Sequence, residues 1–392
     1  MSRRGVAPDF SQTTQLLDVR IAVQAAIQKY NLTEVTDHSP EDADNATTSS
    51  LTHGMYFFRA YISPIIILLG IIGNLLSIGI FLSYRKWDQA SIHYLFYLAL
   101  SDTGNLLFNG VVEWFHVGLK YATRESFWID IPAMNLGTCV FVRYVWLHCA
   151  FLSSWILVFF TIERFIVVCF PLRAFKWVTV GKRRRILVIL TIVSVISWFP
   201  IPFIYDVYKK HGFSVCLPNS EKSTWMSYYF SFHSMATTYF LPCVLLGLFN
   251  TFIIIGIART SKGRQEIRGV KKSRKQDVMI AVNLLAVSSV YLILTIPFCL
   301  AWGLWFYWES TGFVGKTLQN IKEGLEVNRF ITSISIINYS VNFCIYTARL
   351  TFFKRRVLNL FRCKKYTKLD STNNSQNGSE SPGKRTRMVN LT

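Results

Sequence analysis

The sequence predicts an all-α membrane protein, a seven-transmembrane helix bundle with a short amphipathic eighth helix, and three observations carry that expectation. Of 392 residues, 51% are hydrophobic and only 16% charged, too apolar a balance for a soluble chain of this size. Seven stretches reach the length of about 20 predominantly apolar residues that a bilayer core demands. The basic residues gather in short clusters between alternate pairs of those stretches. A net charge of +20 would suit nucleic acid if it sat on a folded polar domain; spread between apolar runs it reads as membrane topology, and no nucleic-acid partner is expected.

The seven stretches fall at 57–83, 92–118, 138–170, 185–207, 226–258, 277–307 and 326–350. Arg85 and Lys86 follow the first; Arg173, Lys176 and the run from Lys182 to Arg185 separate the third from the fourth; eight more basic residues from Arg259 to Lys275 separate the fifth from the sixth. An excess of Lys and Arg marks cytoplasmic loops, so the arm before the first span, acidic around Glu34, Asp37, Glu41, Asp42 and Asp44, is expected outside. Plasma-membrane localisation follows as an expectation. No basic start followed by an apolar core precedes the first span, which is then expected to act as the targeting signal.

Four regions result: an extracellular arm over 1–55, the transmembrane domain over 56–350, a membrane-surface helix over 351–363 and a cytoplasmic tail over 364–392. The arm holds two glycosylation sequons, at Asn31 and Asn45. In the surface helix, apolar residues such as Phe353 and Val357 alternate in helical period with Lys354, Arg355 and Arg356, which suits contact with membrane lipids. Cys363 follows beside two lysines, a setting for palmitoylation. The tail is rich in Ser, Asn and Gly, the composition of a segment that buries too little apolar surface to fold.

Polar residues inside apolar spans are costly and mark function. Asn74 on the first span, Ser101 and Asp102 on the second, and Asn338 and Asn342 on the seventh all fall near mid-membrane, which predicts one shared polar cluster. On the third span Cys139 precedes Arg164 by 25 residues, about 37 Å of helix, so one lies at the outer surface and the other at the inner. Cys216 is the other cysteine expected in an outer loop, and on the oxidising side the two thiols should pair.

In order and spacing, these residues resemble the rhodopsin-like G-protein-coupled receptors across nearly all of 55 to 363. Glu163-Arg164-Phe165 resembles the family's Asp/Glu-Arg-Tyr motif. Asn342-Phe343-Cys344-Ile345-Tyr346 resembles its Asn-Pro-x-x-Tyr motif, with Phe343 in the proline's place, and Pro242 and Pro297 stand where the family kinks its fifth and sixth helices. Leu294-Thr295-Ile296-Pro297 departs from the family's Cys-Trp-x-Pro element, and Asn250 stands where a tyrosine is usual. The resemblance implies a receptor that activates a heterotrimeric G protein, with arrestin as a further partner and no organic cofactor. It implies a tie in which Arg164 pairs with Glu163 and reaches Asp277, opening as the sixth helix swings about Pro297. It also implies that Asp102, Ser153, Asn338 and Asn342 form a pocket for an allosteric Na⁺.

Trp146 stands where amine receptors carry an aspartate and Ile336 where opsins carry a lysine, which disfavours both classes. Glu113, Arg143, Trp146, Trp302, Glu326, Asn328 and Arg329 instead line a wide aromatic mouth with charges of both signs, suited to a peptide. The Asn-Phe-x-x-Tyr variant is similar to that of invertebrate FMRFamide-like neuropeptide receptors. A chemosensory receptor for small molecules shares the architecture. A transporter or channel is the rival from another class, but no repeated halves with broken helices are visible. His93, His116, His148 and His233 show neither a nucleophile motif nor metal spacing, so no enzyme is expected.

Overall fold

The computed structural model describes residues 50–83, 92–124, 126–210, 213–218, 229–262, 271–311, 318–349 and 351–361. The first span joins helix Ser50–Phe57 to helix Ser63–Leu82 through a π-helical turn, Phe58–Ile62. The second runs from helix Ile92–Asn105 through π turns Leu106–Val111 and Trp114–Gly118 to helix Leu119–Ala122. The third is one helix, Leu136–Cys169, begun by a reciprocal cap: Asn135 Oδ1 accepts from the Thr138 amide at 2.9 Å while Thr138 Oγ1 accepts from the Asn135 amide at 3.2 Å. A short helix, Pro171–Trp177, leads to the fourth span, Val180–Trp198, whose first turn is capped by Thr179. The fifth contains a π turn, Ala236–Phe240, before helix Leu241–Lys262; the sixth is helix Lys271–Thr311; the seventh is helix Leu318–Ser340, a bend at Val341, and helix Asn342–Arg349. Helix Thr351–Phe361 follows.

Boundaries differ from the sequence expectation where end chemistry overrides hydropathy. The fourth helix begins at Val180 rather than 185, because the Thr179 cap lets the basic run join its first turns. It stops at Trp198 because Pro200 and Pro202 follow, and a one-turn helix, Ile201–Ile204, gives way at Tyr205 to an antiparallel hairpin that the all-α reading did not include. Strands β1 (Tyr205–Lys210) and β2 (Phe213–Pro218) pair so that Val207 faces Cys216.

Among the described residues, five spans are long and apolar enough to cross a membrane on length and composition alone: the first, third, fourth, fifth and sixth. The second and seventh fall short because they carry much of the polar load, including Asp102, Asn105, Glu113, Ser333, Asn338 and Asn342. Burial is arranged for a lipid solvent. On the first span Leu68, Leu69, Ile72 and Leu75 are 46–64% exposed, whereas Asn74 and Ser77 are fully buried. The fourth repeats this, with Ile192 and Ile196 outward and Ser194 buried. Water would reward the opposite arrangement.

The third span packs against the second, fourth, fifth and sixth, and 61% of its most apolar stretch is buried, against 22–39% for the other four. It is therefore the axis on which side chains from most of the bundle converge. The first and seventh spans close the ring by near-backbone contact: a Cβ on Gly73 would lie 2.7 Å from Phe343 Cβ, so only glycine admits the phenylalanine there. Phe343 also packs on Phe353 of helix Thr351–Phe361, and Phe353 is fully buried against Phe81 and Tyr346 while Lys354, Arg355 and Arg356 are exposed.

Candidate functional site

At one end of the third span, Arg164 is 1% exposed and donates from Nη2 to Glu163 Oε1 at 2.7 Å. Its guanidinium lies 5.5 Å from the Phe160 ring, which Tyr94 of the second span stacks upon. Burying an arginine is tolerable only when a carboxylate faces it. Sequence reasoning missed a third member: Arg183 of the fourth span donates from Nε to Glu163 Oε2 at 2.8 Å. In the sequence Arg183 is one of four consecutive basic residues and reads as a topology signal. Asp277 belongs to helix Lys271–Thr311, and its side chain lies outside the described residues. Asn250, where the family has tyrosine, donates from Nδ2 to Ser288 Oγ at 2.9 Å, joining the fifth and sixth spans.

Mid-bundle, Asp102 is fully buried and accepts from Ser153 Oγ and Asn342 Nδ2, both at 2.6 Å. Three spans thus converge on one carboxylate. Asn338 is buried a turn earlier but does not bond to it, and Asn74 Nδ2 donates instead to the Tyr339 carbonyl at 2.9 Å. Among the described residues the side-chain oxygens of Asn74, Asn105 and Asn342 are buried without a hydrogen-bond partner. The Asp102 carboxylate and Asn342 Oδ1, on the amide that donates to it, are oxygens of the kind that a hard cation or ordered water takes. Tyr346 is buried one helical turn beyond Asn342.

Above this cluster the fifth span carries Pro242, which has no N–H for the carbonyls of Thr238 and Thr237, four and five residues back. Side chains from two other spans serve them. Trp155 Nε1 of the third span donates to the Thr237 carbonyl at 2.9 Å, and the Tyr291 hydroxyl of the sixth donates to the Thr238 carbonyl at 3.3 Å. Both carbonyls fall within the π turn Ala236–Phe240, in which Leu241 N bonds to Ala236 O. Pro297 lies within the sixth helix.

At the other end, Cys139 and Cys216 form a disulfide with Cα atoms 5.7 Å apart, fixing β2 to the start of the third span. Beneath it, the Arg143 guanidinium sits 5.3 Å from the Trp146 ring and 5.8 Å from the Tyr205 ring. Arg143 Nε and Trp146 Nε1 are both buried with no acceptor among the described residues. Glu113 accepts from Arg59 Nη2 of the first span at 2.5 Å and stays 36% exposed. Arg59 is 3% exposed, and sequence reasoning missed it because its acid partner lies 54 residues away. Arg329 is exposed near enough to act electrostatically on Glu113, and Trp302 is half-buried. Glu326 and Asn328 lie on helix Leu318–Ser340 with side chains outside the described residues; Asn31, Asn45 and Cys363 lie wholly outside them. Of the histidines, His148 pairs with Ser194 Oγ at 2.8 Å across the third and fourth spans, and His116 faces Asp130 at 3.2 Å.

Apolar spans with lipid-facing leucines, polar side chains turned inward and a loop disulfide at one end define a multi-pass helical membrane protein. Residues 73–346 match the family model described as 7 transmembrane receptor (rhodopsin family), and the chain belongs to that family, one of receptors rather than enzymes. It is 24% identical to a neuromedin U receptor homolog of Caenorhabditis elegans, over 46% of this chain and 42% of the relative. It is 26% identical to the FMRFamide receptor of Drosophila melanogaster, over 51% of this chain and 35% of the relative, and 22% identical to the sex peptide receptor of the same fly, over 83% and 77%. The chain thus spans about half or less of the length of the first two relatives.

Proposed function

We propose that the protein is a plasma-membrane receptor, its N-terminus outside, that binds a peptide in the Arg143 mouth and activates a heterotrimeric G protein at the Arg164 end. The observation that carries this reading is the third span, which holds both centres on one helix: a braced, donor-lined mouth at Cys139 and a buried arginine–carboxylate pair at Arg164. Relatives whose names give FMRFamide, neuromedin U and sex peptide as ligands support the peptide class.

In this mechanism the mouth supplies Arg143 Nε and Trp146 Nε1 as donors to acceptors on the peptide, with Glu113, Trp302, Glu326, Asn328 and Arg329 around them. A ligand that binds the active conformer better shifts the population toward it; equal affinity for both conformers would shift nothing. The sixth span moves about Pro297, Arg164 leaves Glu163, and the inner surface is freed for the G protein. Leu172, 90% exposed beside Arg173 on the short helix after the third span, is an apolar contact available to that partner. Asp102, Ser153, Asn338 and Asn342 hold Na⁺ in the resting conformer. Helix Thr351–Phe361 lies on the inner leaflet with its arginines toward lipid phosphates, Cys363 carries the lipid anchor, Asn31 and Asn45 carry glycans, and arrestin binds the tail.

The test is a neuropeptide library applied to cells expressing the protein with a promiscuous G protein, read as calcium release. A response to a peptide, lost in Arg164→Ala at equal surface expression, supports the reading. Ligand-independent ion currents without any G-protein response would overturn it.

A further inference from the structure

Glu163 is shared between two arginines. Oε1 accepts from Arg164 at 2.7 Å and Oε2 from Arg183 at 2.8 Å, and all three residues are at most 5% exposed. The cluster therefore holds two guanidiniums against one carboxylate, in a place where an isolated carboxylate would be strongly disfavoured. Among the described residues Tyr94 of the second span also reaches Glu163, and a neutral hydroxyl cannot balance its charge. Arg183 has a donor in hand: its Nη1 is buried without a partner among the described residues. Its position is fixed by the Thr179 cap and by Lys182, whose ammonium donates to the Lys176 carbonyl at 3.0 Å and so ties the fourth span to the helix before it.

We infer that Arg183 is a positioning residue of the receptor's switch: it keeps Glu163 compensated when Arg164 leaves, and so lowers the cost of reaching the active conformer. This rests on the receptor reading above. In the resting conformer Arg164 and Arg183 each take one carboxylate oxygen. When Arg164 turns toward the G protein, Arg183 retains Oε2 through Nε and offers Nη1 to the vacated Oε1, making the two-point contact that suits a guanidinium and a carboxylate. Without Arg183 the same departure would strand a buried negative charge. Arg183 thus favours activation, although it contacts the acid of the resting tie.

The experiment uses the full-length protein in lipid nanodiscs with purified heterotrimers of the main Gα classes, reading ligand-free nucleotide exchange per folded receptor. Arg183→Gln should slow exchange about tenfold, and Arg183→Lys should restore part of the loss. In a Glu163→Gln background, where no charge is stranded, Arg183→Gln should change exchange little. Unchanged or faster exchange in Arg183→Gln, or an equal loss in both backgrounds, would overturn the inference; the last would make Arg183 a contact for the G protein or a general fold residue. Exchange by no variant, Glu163→Gln included, would instead overturn the receptor reading itself.

Discussion

Removing the Tyr291 hydroxyl isolates one bond between the fifth and sixth spans. Tyr291 is 2% exposed and its hydroxyl donates at 3.3 Å to the Thr238 carbonyl, which lacks its amide because residue 242 is proline. Tyr291→Phe keeps the ring and leaves that carbonyl without a donor. A buried orphan acceptor costs about 1–3 kcal/mol, and the long bond places this one near 1 kcal/mol. Trp155→Phe breaks a shorter bond, 2.9 Å to the Thr237 carbonyl, and also trims the indole, so about 2 kcal/mol is expected. The decisive arm is Pro242→Ala. An amide at 242 can serve the Thr238 carbonyl itself, so Tyr291→Phe should cost less than about 0.5 kcal/mol in that background, a coupling within the range seen for residues in contact. Relative stability of the purified protein in a single detergent, followed by thermal unfolding, reads all four corners of the cycle. Equal losses from Tyr291→Phe in both backgrounds would refute the idea that the tyrosine stands in for the proline's missing N–H.

Gly73→Ala should destabilise the bundle by about 1–3 kcal/mol on thermal unfolding, because its Cβ would stand 2.7 Å from Phe343 Cβ, and the same substitution should cost less in a Phe343→Gly background, where that Cβ is gone. Replacing Na⁺ by a bulky organic cation should raise agonist affinity in the wild type and leave it unchanged in Asp102→Asn, measured by radioligand displacement; equal responses in both would count against the ion. Arg143→Glu should reduce the potency of an activating peptide by about 30-fold, the equivalent of a lost charged contact of 2 kcal/mol, with normal surface expression; unaltered potency would make Arg143 a support for Trp146 and Tyr205 alone.

Much of this architecture is legible in the sequence because lipid imposes a simple code. Spans announce themselves as apolar runs, and Asp102 and Asn342 stand out because a polar group there needs a reason. Cys139 and Cys216 follow from helix length and loop placement. What stays hidden depends on partners distant in sequence. Arg59 looks like a charge at a span's edge until Glu113 is placed opposite it, and Arg183 like one more basic residue until the fourth span turns it onto Glu163. The hairpin over Tyr205–Pro218 escapes notice because hydropathy counts Tyr205 and Val207 as continued span. Trp155 and Tyr291 read as packing aromatics, since only the π turn and Pro242 together create the carbonyls they serve.

The claim that the mouth and the Arg164 end are coupled has a direct thermodynamic test, since linkage between two binding sites is reciprocal. The measurement is the affinity of an activating peptide for the purified protein in nanodiscs, with and without a nucleotide-free G protein. A gain of about tenfold or more with the G protein present, abolished by GTP and absent in Arg164→Ala, is the expected result. A peptide that binds with one affinity under every condition would contradict the account.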